Sequence, residues 1–137
     1  MKLFSRNGND ISASFPDVAA ALSDTTAGRS VTLDGELVAL DSGGRPDFGL
    51  LQRRMHVARP SAALLRSTPV TYFVFDVLDV DGESVRTLPY TQRRALLECL
   101  GVADGRRVQV PPNMTGIDGE TLMGIAVDNG IVGVVAK

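Results

Sequence analysis

The sequence predicts an α+β fold in which mainly antiparallel sheets pack against helices. β-forming and helical segments alternate along the chain, and tight-turn sequences follow several of the β-forming segments. Alternation alone would suggest a parallel sheet, but the hairpin-type turns Asn7-Gly8, Gly43-Gly44 and Asp81-Gly82 favour antiparallel pairing. The 137 residues, 44% of them hydrophobic, suffice for one domain with a single core.

The first third of the chain is predicted to form a hairpin, a helix and a strand. Residues 2–6 are predicted to form a short strand, because Asn7-Gly8, which follows them, favours the tight turn of a hairpin. Pro16 suits the first turn of a helix, which should end before Gly28. The β-forming run Val31–Leu40, closed by a cluster of turn residues, indicates a strand with a hairpin loop.

The middle of the chain is predicted to form two short helices and the central strand. Phe48, Leu51 and Met55 recur at helical spacing, and prolines separate this helix from a second one at 62–65. The run Val70–Val80 is apolar on both faces, so we place it at the centre of the sheet.

The last third is predicted to form two helices and two strands. Thr91 is the expected N-cap of a helix that reaches Leu100 and ends at Gly101. Asp118 or Gly119 should cap a further helix that continues through Val127. The strands are expected at 108–110 and at 131–136.

The charge balance and the cysteine content exclude several classes of function. The 16 acidic residues oppose 14 basic ones, so no broad positive field could hold nucleic acid, and any DNA contact must be local. Cys99 alone can form neither an internal disulfide nor a thiolate metal cluster, which favours a reducing compartment. No segment has the pattern of a signal peptide or of a membrane helix. We therefore expect a soluble, cytoplasmic protein with no membrane partner.

Asp34-Gly35-Glu36 is the first polar interruption of an apolar strand. Because side chains alternate along a strand, Asp34 and Glu36 share one face, and the glycine between them permits close approach of another backbone or of a ligand. Two carboxylates on one face can bind a metal ion or a ribose hydroxyl. A solvent-facing strand end beside a turn is the alternative interpretation.

Asp76 and Phe75 lie inside the most apolar strand. A buried carboxylate without a partner is unfavourable, so we expect Asp76 to bind backbone amides or an arginine within the fold rather than to act in catalysis. Phe75 lies on the opposite face, where its ring could stack on a planar base or pack in the core.

The remaining charged or reactive side chains favour structural interpretations. His56 and the neighbouring Arg53-Arg54 are expected to form a solvated basic helix end, and Cys99 is expected in the core. The pairs Arg93-Arg94 and Arg106-Arg107 are expected at the surface, with phosphate contact as the alternative. The sequence contains neither a GxxxxGK nor a GxGxxG motif, so these two kinds of phosphate cradle are not predicted.

Four motifs, in order along the chain, resemble those of the adenylation domain of ATP-dependent DNA ligases. They are Ser5-Arg6-Asn7-Gly8, Asp34-Gly35-Glu36, Phe73-Val74-Phe75-Asp76 and Gly133-Val134-Val135-Ala136-Lys137. The sequence is most similar to bacterial end-joining ligases of the ligase D type, and the resemblance covers essentially the whole chain. It implies a nucleotidyltransferase domain that uses ATP and Mg²⁺ and acts on nicked or broken double-stranded DNA in repair and recombination.

The resemblance also implies roles for individual residues. In such ligases the arginine matching Arg6 contacts the nucleotide, and the phenylalanine matching Phe75 stacks on adenine. The glutamate matching Glu36 binds the ribose and helps to hold a divalent metal. Asp76 is then a structural neighbour of the stacked ring.

The family's reaction begins with a lysine of a K-x-D-G motif, which attacks the α-phosphorus of ATP. The AMP passes to a 5′-phosphate at a nick, and the 3′-hydroxyl displaces it. The two lysines here, Lys2 and Lys137, lie outside any such motif, and Val132 stands where the family has a metal-binding glutamate. We therefore expect residues 1–137 to form a partial adenylation domain without the upstream lysine motif, the downstream lysine motif and the oligonucleotide-binding domain.

Three hypotheses describe what such a chain does. The first is a truncated ligase fragment that cannot self-adenylate and binds ATP and Mg²⁺ weakly or not at all. The second is one part of a split ligase whose missing segments come from another polypeptide. The third is a non-catalytic module that retains adenine nucleotide or DNA.

Overall fold

The computed structural model describes residues 1–114 and 116–128. In chain order the helices and strands are α1 (Pro16–Thr25), β1 (Val31–Ala39), α2 (Phe48–Met55), α3 (Ala62–Ser67), β2 (Val70–Val80), β3 (Glu83–Ser84), α4 (Tyr90–Leu100), β4 (Val108–Gln109) and α5 (Gly119–Asp128). The strand predicted at 131–136, and Val132 with it, lies outside the described residues.

Strand β2 is the centre of a four-stranded sheet. Strands β1 and β3 pair with it in antiparallel orientation, and the two-residue β4 pairs with it in parallel. Asp81 and Gly82 have positive φ angles of 50° and 89° and form the predicted turn between β2 and β3. Mainly antiparallel strands with packed helices confirm the predicted α+β class, and the central position of Val70–Val80 is confirmed with it.

The pairing of β1 with β2 is irregular where the Asp34-Gly35-Glu36 motif lies. Asp34 is opposite Asp76 while Gly35 is opposite Val74, so Phe75 is an extra residue in β2 at this point. A Cβ atom on Gly35 would lie 2.2 Å from the Phe73 carbonyl oxygen. The close approach that the sequence predicts at this glycine is therefore that of the neighbouring strand.

The hydrophobic core lies between the sheet and the helices α1 and α4. Its fully buried members come from α1 and the residue before it, β1, β2, α4 and the segment around β4: Phe15, Val18, Leu22, Ala39, Val70, Val74, Val77, Leu97, Val102 and Val108. Among the residues described, no helix has the length and the apolar character needed to cross a membrane.

Two helix ends follow the predicted capping and a third does not. Gly101, with a φ of 62°, ends α4, and Asp118 accepts a hydrogen bond of 2.9 Å from the Thr121 amide at the start of α5. The predicted N-cap at Thr91 is wrong, because α4 begins at Tyr90 and Pro89 holds the N-cap position. Proline has no N–H group and stays extended here, so Thr91 falls within the first helical turn.

The N-terminal hairpin is smaller than predicted. The strand expected at 2–6 is reduced to one antiparallel bridge between Phe4 and Asp10. The turn forms as predicted, since Gly8 has a φ of 79° and donates a hydrogen bond of 2.8 Å to the Ser5 carbonyl. The buried Leu3 attaches this hairpin to the core.

Several side chains have the opposite exposure to that expected. Cys99 is exposed, because it lies two positions beyond the buried Leu97 and therefore on the far side of α4. Arg54 and Arg94 are buried, so the predicted solvated helix end is wrong for Arg54, although His56 is exposed as predicted. A guanidinium group carries five N–H donors, and a buried arginine can therefore satisfy several carbonyl and carboxylate groups where elements meet.

Candidate functional site

Glu36 and Phe75 come together on one face of the sheet. Glu36 is exposed in the middle of β1 and lies directly across the ladder from Phe73, so the two side chains share a face. Phe75 is half buried between Val74 and Asp76, which are 0% and 2% exposed. Val74 belongs to the core cluster, whereas Phe73 and Phe75 neither belong to it nor pack against it, so we assign both rings to the side of the sheet that carries Glu36. We call this surface of Glu36, Phe73 and Phe75 the outer face.

Asp76 binds an arginine and a backbone amide, as the sequence predicts. Its Oδ1 accepts hydrogen bonds of 2.9 Å from the Val77 amide and 2.9 Å from Arg93 Nε, and its Oδ2 accepts one of 2.7 Å from Arg93 Nη2. The side chain of Arg93 is only 15% exposed. The expectation that Arg93 is a surface charge is wrong, because the buried carboxylate needs a cation beside it.

The beginning of α4 holds this arginine in place. Arg93 Nη1 donates a hydrogen bond of 2.6 Å to the Leu88 carbonyl, and its guanidinium carbon lies 5.8 Å from the centre of the Tyr90 ring. Tyr90 Oη donates a hydrogen bond of 3.5 Å to the Phe75 carbonyl. The hydrogen bonds to Asp76 raise the pKa of Arg93 above its ordinary value. The contacts of Arg93 and Tyr90 with this part of β2 were not predicted from the sequence. A carboxylate inside an apolar strand indicates that a partner is needed, but it does not indicate which residue that partner is.

Arg6 lies on the turn of the N-terminal hairpin rather than on the sheet. The turn is held by hydrogen bonds from the amides of Gly8 and Asn9 to Ser5. Arg6 is exposed. The structure thus brings Glu36 and Phe75 onto one strand pair and presents Arg6 from a separate element.

The outer face has groups that suit an adenosine. The partly exposed Phe75 offers an aromatic ring on which a planar base can stack, and the carboxylate of Glu36 can accept hydrogen bonds from ribose hydroxyls. Within the described residues, no group of three or more His, Cys, Asp or Glu side chains could hold a metal ion. The residues present therefore fit a metal ion only when other ligands accompany it.

Two shallow depressions of the described surface lie elsewhere. One, of about 280 Å³, is lined by Met1, Arg29 and their neighbours. The other, of about 330 Å³, lies between α4 and the segment after β4, against Leu97 and Pro112. Neither is lined by Arg6, Glu36 or Phe75.

Comparisons with known proteins agree on one family. A family model described as "ATP dependent DNA ligase domain" matches residues 1–137. The multifunctional non-homologous end joining protein LigD of Mycolicibacterium smegmatis is 38% identical over 97 residues, which is 71% of this chain and 11% of that protein. The multifunctional non-homologous end joining DNA repair protein LigD of Mycobacterium tuberculosis is 36% identical over 137 residues, which is 100% of this chain and 16% of that protein.

The same similarity extends to solved structures. A structure of mycobacterial DNA ligase D complexed with ATP and MES superimposes with a TM-score of 0.75 at 36% identity, and it covers 96% of this chain and 39% of the solved chain. The chain thus spans less than half of the length of these relatives.

Proposed function

The chain belongs to the ATP-dependent DNA ligase family, as an adenylation domain sequence, and we propose that its outer face binds the adenosine of ATP. Residues 1–137 would then form part of a nucleotidyltransferase domain. The observation that carries the proposal is the placement of the exposed Glu36 directly across from Phe73, two residues from the half-buried Phe75.

Stacking on Phe75 would supply part of the binding free energy. Stacking of a base on an aromatic side chain is worth about 1–3 kcal/mol, and Phe75 is partly exposed and lies outside the core cluster. Glu36 would orient the ribose by accepting hydrogen bonds from its hydroxyls. Arg6, on its exposed turn, would contribute a cation to the nucleotide phosphates.

Glu36 would also hold the divalent metal that accompanies ATP. When bound, Mg²⁺ neutralises charge on the phosphate oxygens. Mg²⁺ usually keeps several waters and takes one or two carboxylates together with substrate phosphates, which suits a single carboxylate beside a bound nucleotide. The metal would therefore bind to these residues only together with the nucleotide.

Formation of the covalent enzyme–AMP bond needs a lysine in a K-x-D-G motif, and Lys2 and Lys137 lie outside such a motif. We therefore expect a polypeptide of these 137 residues to bind ATP weakly without becoming adenylated. For the complete ligase, the proposed substrate is nicked or broken double-stranded DNA, sealed in repair or recombination. The net charge of −2 indicates that the DNA contacts within this segment are local.

Calorimetric titration with ATP and Mg²⁺ tests the nucleotide site. We expect saturable binding by the wild-type chain and a loss of affinity of about fivefold or more in Phe75→Ala, in line with the value of a stacked base. Phe48→Ala is the matched control, because Phe48 is an exposed phenylalanine on α2 and is not one of the residues of the outer face. No binding by the wild type, or equal losses in the two variants, would contradict the proposal.

Incubation with α-labelled ATP tests the absence of self-adenylation. We expect no label on the denatured chain after electrophoresis. Addition of a peptide that carries the K-x-D-G motif tests the split-ligase alternative, for which label on the peptide is the supporting result. A covalent AMP adduct on Lys2 or Lys137 would contradict the expectation that these 137 residues do not become adenylated.

A further inference from the structure

We infer that Arg93 is a positioning residue for Phe75, acting through Asp76 to fix the direction of the ring on the outer face. The inference rests on the proposed nucleotide site for its functional meaning. Its structural part concerns the ring itself and is tested without a nucleotide.

Phe75 needs a positioning residue because it is not paired with a residue of β1. The register passes from the Asp34–Asp76 pair to the Gly35–Val74 pair, so Phe75 has no partner position in β1. A bulged residue is left out of the regular pairing, and the strand bends locally. The direction of the Phe75 side chain then depends on the hydrogen bonds that fix the backbone on either side of it.

The ion pair of Asp76 and Arg93 fixes the backbone on the C-terminal side of Phe75. The two parallel hydrogen bonds, of 2.9 and 2.7 Å, form a bidentate pair with a defined orientation. Arg93 is itself fixed by the Leu88 carbonyl, 2.6 Å from its Nη1. The carboxylate also accepts a hydrogen bond from the Val77 amide, so the pair sets the path of the chain directly after the bulge.

Tyr90 forms a hydrogen bond with the bulged residue itself. Its hydroxyl donates to the Phe75 carbonyl at 3.5 Å, and its ring lies below the Arg93 guanidinium, 5.8 Å from the guanidinium carbon. The first turn of α4 therefore contacts both Phe75 and Asp76. Rotation of the Arg93 guanidinium would disturb the two contacts together.

A second arginine–aspartate pair, whose aspartate also lies on β2, provides the comparison with the Arg93–Asp76 pair. Arg86 Nη2 lies 3.0 Å from Asp79 Oδ2, but these side chains are 62% and 28% exposed. Exposed pairs contribute little to stability or to geometry. The pair beside the bulge is 15% and 3% exposed, so water competes less for its hydrogen bonds and the pair holds its orientation better than the exposed pair does.

A single tryptophan introduced by the substitution Phe75→Trp reports the order of the ring. The chain contains no tryptophan, so the indole fluorescence comes from this position alone. We expect Arg93→Gln in this background to increase the nanosecond motion of the indole, measured by time-resolved fluorescence anisotropy without nucleotide. Arg86→Gln should leave the motion unchanged, and Arg93→Lys, which keeps the charge but loses the bidentate fork, should give an intermediate value.

Equal anisotropy decays in the Arg93→Gln and Arg86→Gln proteins would overturn the inference. If urea unfolding shows that Arg93→Gln is not properly folded, the Arg93→Lys protein is compared with Arg86→Gln instead. Equal anisotropy decays in those two proteins would also overturn the inference.

Titration with ATP and Mg²⁺, in the background with Phe75 intact, tests the functional part. We expect Arg93→Gln to weaken binding roughly tenfold, because the base loses an ordered stacking partner. Val18→Ala lowers stability from a buried position on α1 and should leave the affinity unchanged. If the affinity loss in Arg93→Gln matches that of Val18→Ala, Arg93 is merely structural. If the wild type does not bind ATP, the proposed function fails, while the anisotropy experiment still decides the role of Arg93.

Discussion

Arg54 Nη2 lies 2.6 Å from Oδ1 of Asp17 and joins the end of α2 to the first turn of α1. The Arg54 side chain is 0% exposed. Its Nη2 also donates to the Ser14 carbonyl at 2.9 Å, and its Nη1 donates to the Thr68 carbonyl at 3.3 Å. A single side chain therefore ties together segments that are far apart in sequence. The guanidinium also lies over the Phe15 ring, with its carbon 5.2 Å from the ring centre.

Replacement of Arg54 by leucine should strongly destabilise the fold. The substitution leaves Asp17 and two carbonyl groups without their donor, and the loss of one partner of a buried pair costs about 3–5 kcal/mol. We expect a loss near the lower limit of that range, because Asp17 is 15% exposed and Arg107 Nη1 lies 3.3 Å from its Oδ2. Urea unfolding followed by circular dichroism measures the change. The control is Arg53→Leu, an exposed neighbour that should change stability by no more than about 0.5 kcal/mol.

The same pair should make stability depend on pH in the acid range. Burial alone would raise the pKa of Asp17, but the hydrogen bonds and charge of Arg54 outweigh it and hold the pKa below its ordinary value of 3.8. As the pH falls, the unfolded chain therefore binds a proton at this carboxyl before the folded chain does. The contribution of the pair is complete above the unfolded pKa and is lost as the pH falls through the folded pKa.

Asp17→Asn isolates this contribution from the other carboxylates. The wild type should be more stable than the variant at pH 7, and the difference should shrink as the pH falls below the ordinary carboxyl pKa of 3.8. Urea titrations of both proteins across this range give the difference. A constant difference at every pH would show that the Asp17 charge does not supply the stability.

Gly35→Ala should destabilise the β1–β2 pair. The new Cβ would lie 2.2 Å from the Phe73 carbonyl oxygen and 2.9 Å from the Tyr72 ring, and the nearer atom is backbone that cannot move aside. Overpacking of this kind costs typically about 1–3 kcal/mol, and thermal unfolding should show it. Gly124→Ala on α5 has nothing within 4 Å of the new Cβ and should stabilise the helix by about 0.5–1 kcal/mol. Equal changes of stability in the two variants would exclude steric contact as the cause.

Glu36→Ala should weaken ATP binding without loss of stability. Glu36 is exposed on β1, and hydrogen bonds to a charged group contribute about 1.5–3 kcal/mol, which corresponds to at least a tenfold change in affinity. Calorimetry with ATP measures this effect. Glu83→Ala removes an exposed carboxylate from β3 and should leave the affinity unchanged. An unchanged affinity in Glu36→Ala would remove this residue from the proposed site.

Local sequence patterns predicted most of the elements and the pairing class. Pro16, Gly101 and Asp118 mark helix boundaries because their backbone or side-chain chemistry acts within one turn of the chain. The same holds for the turns at Gly8 and Gly82. Thr91 shows the limit of this reasoning, because Pro89, two residues earlier, sets the start of the helix instead.

The sequence by itself determined that Asp76 must have a buried partner and that Glu36 and Asp34 face one side of a strand. Only the tertiary structure decided that Arg93 is that partner and that Arg54 is buried against Asp17. It also decided that Phe75 is bulged out of the register with β1. Alternation and capping are properties of neighbouring residues, whereas the choice among 12 arginines depends on which elements pack together. That packing is set by burial of the whole core and not by any local pattern.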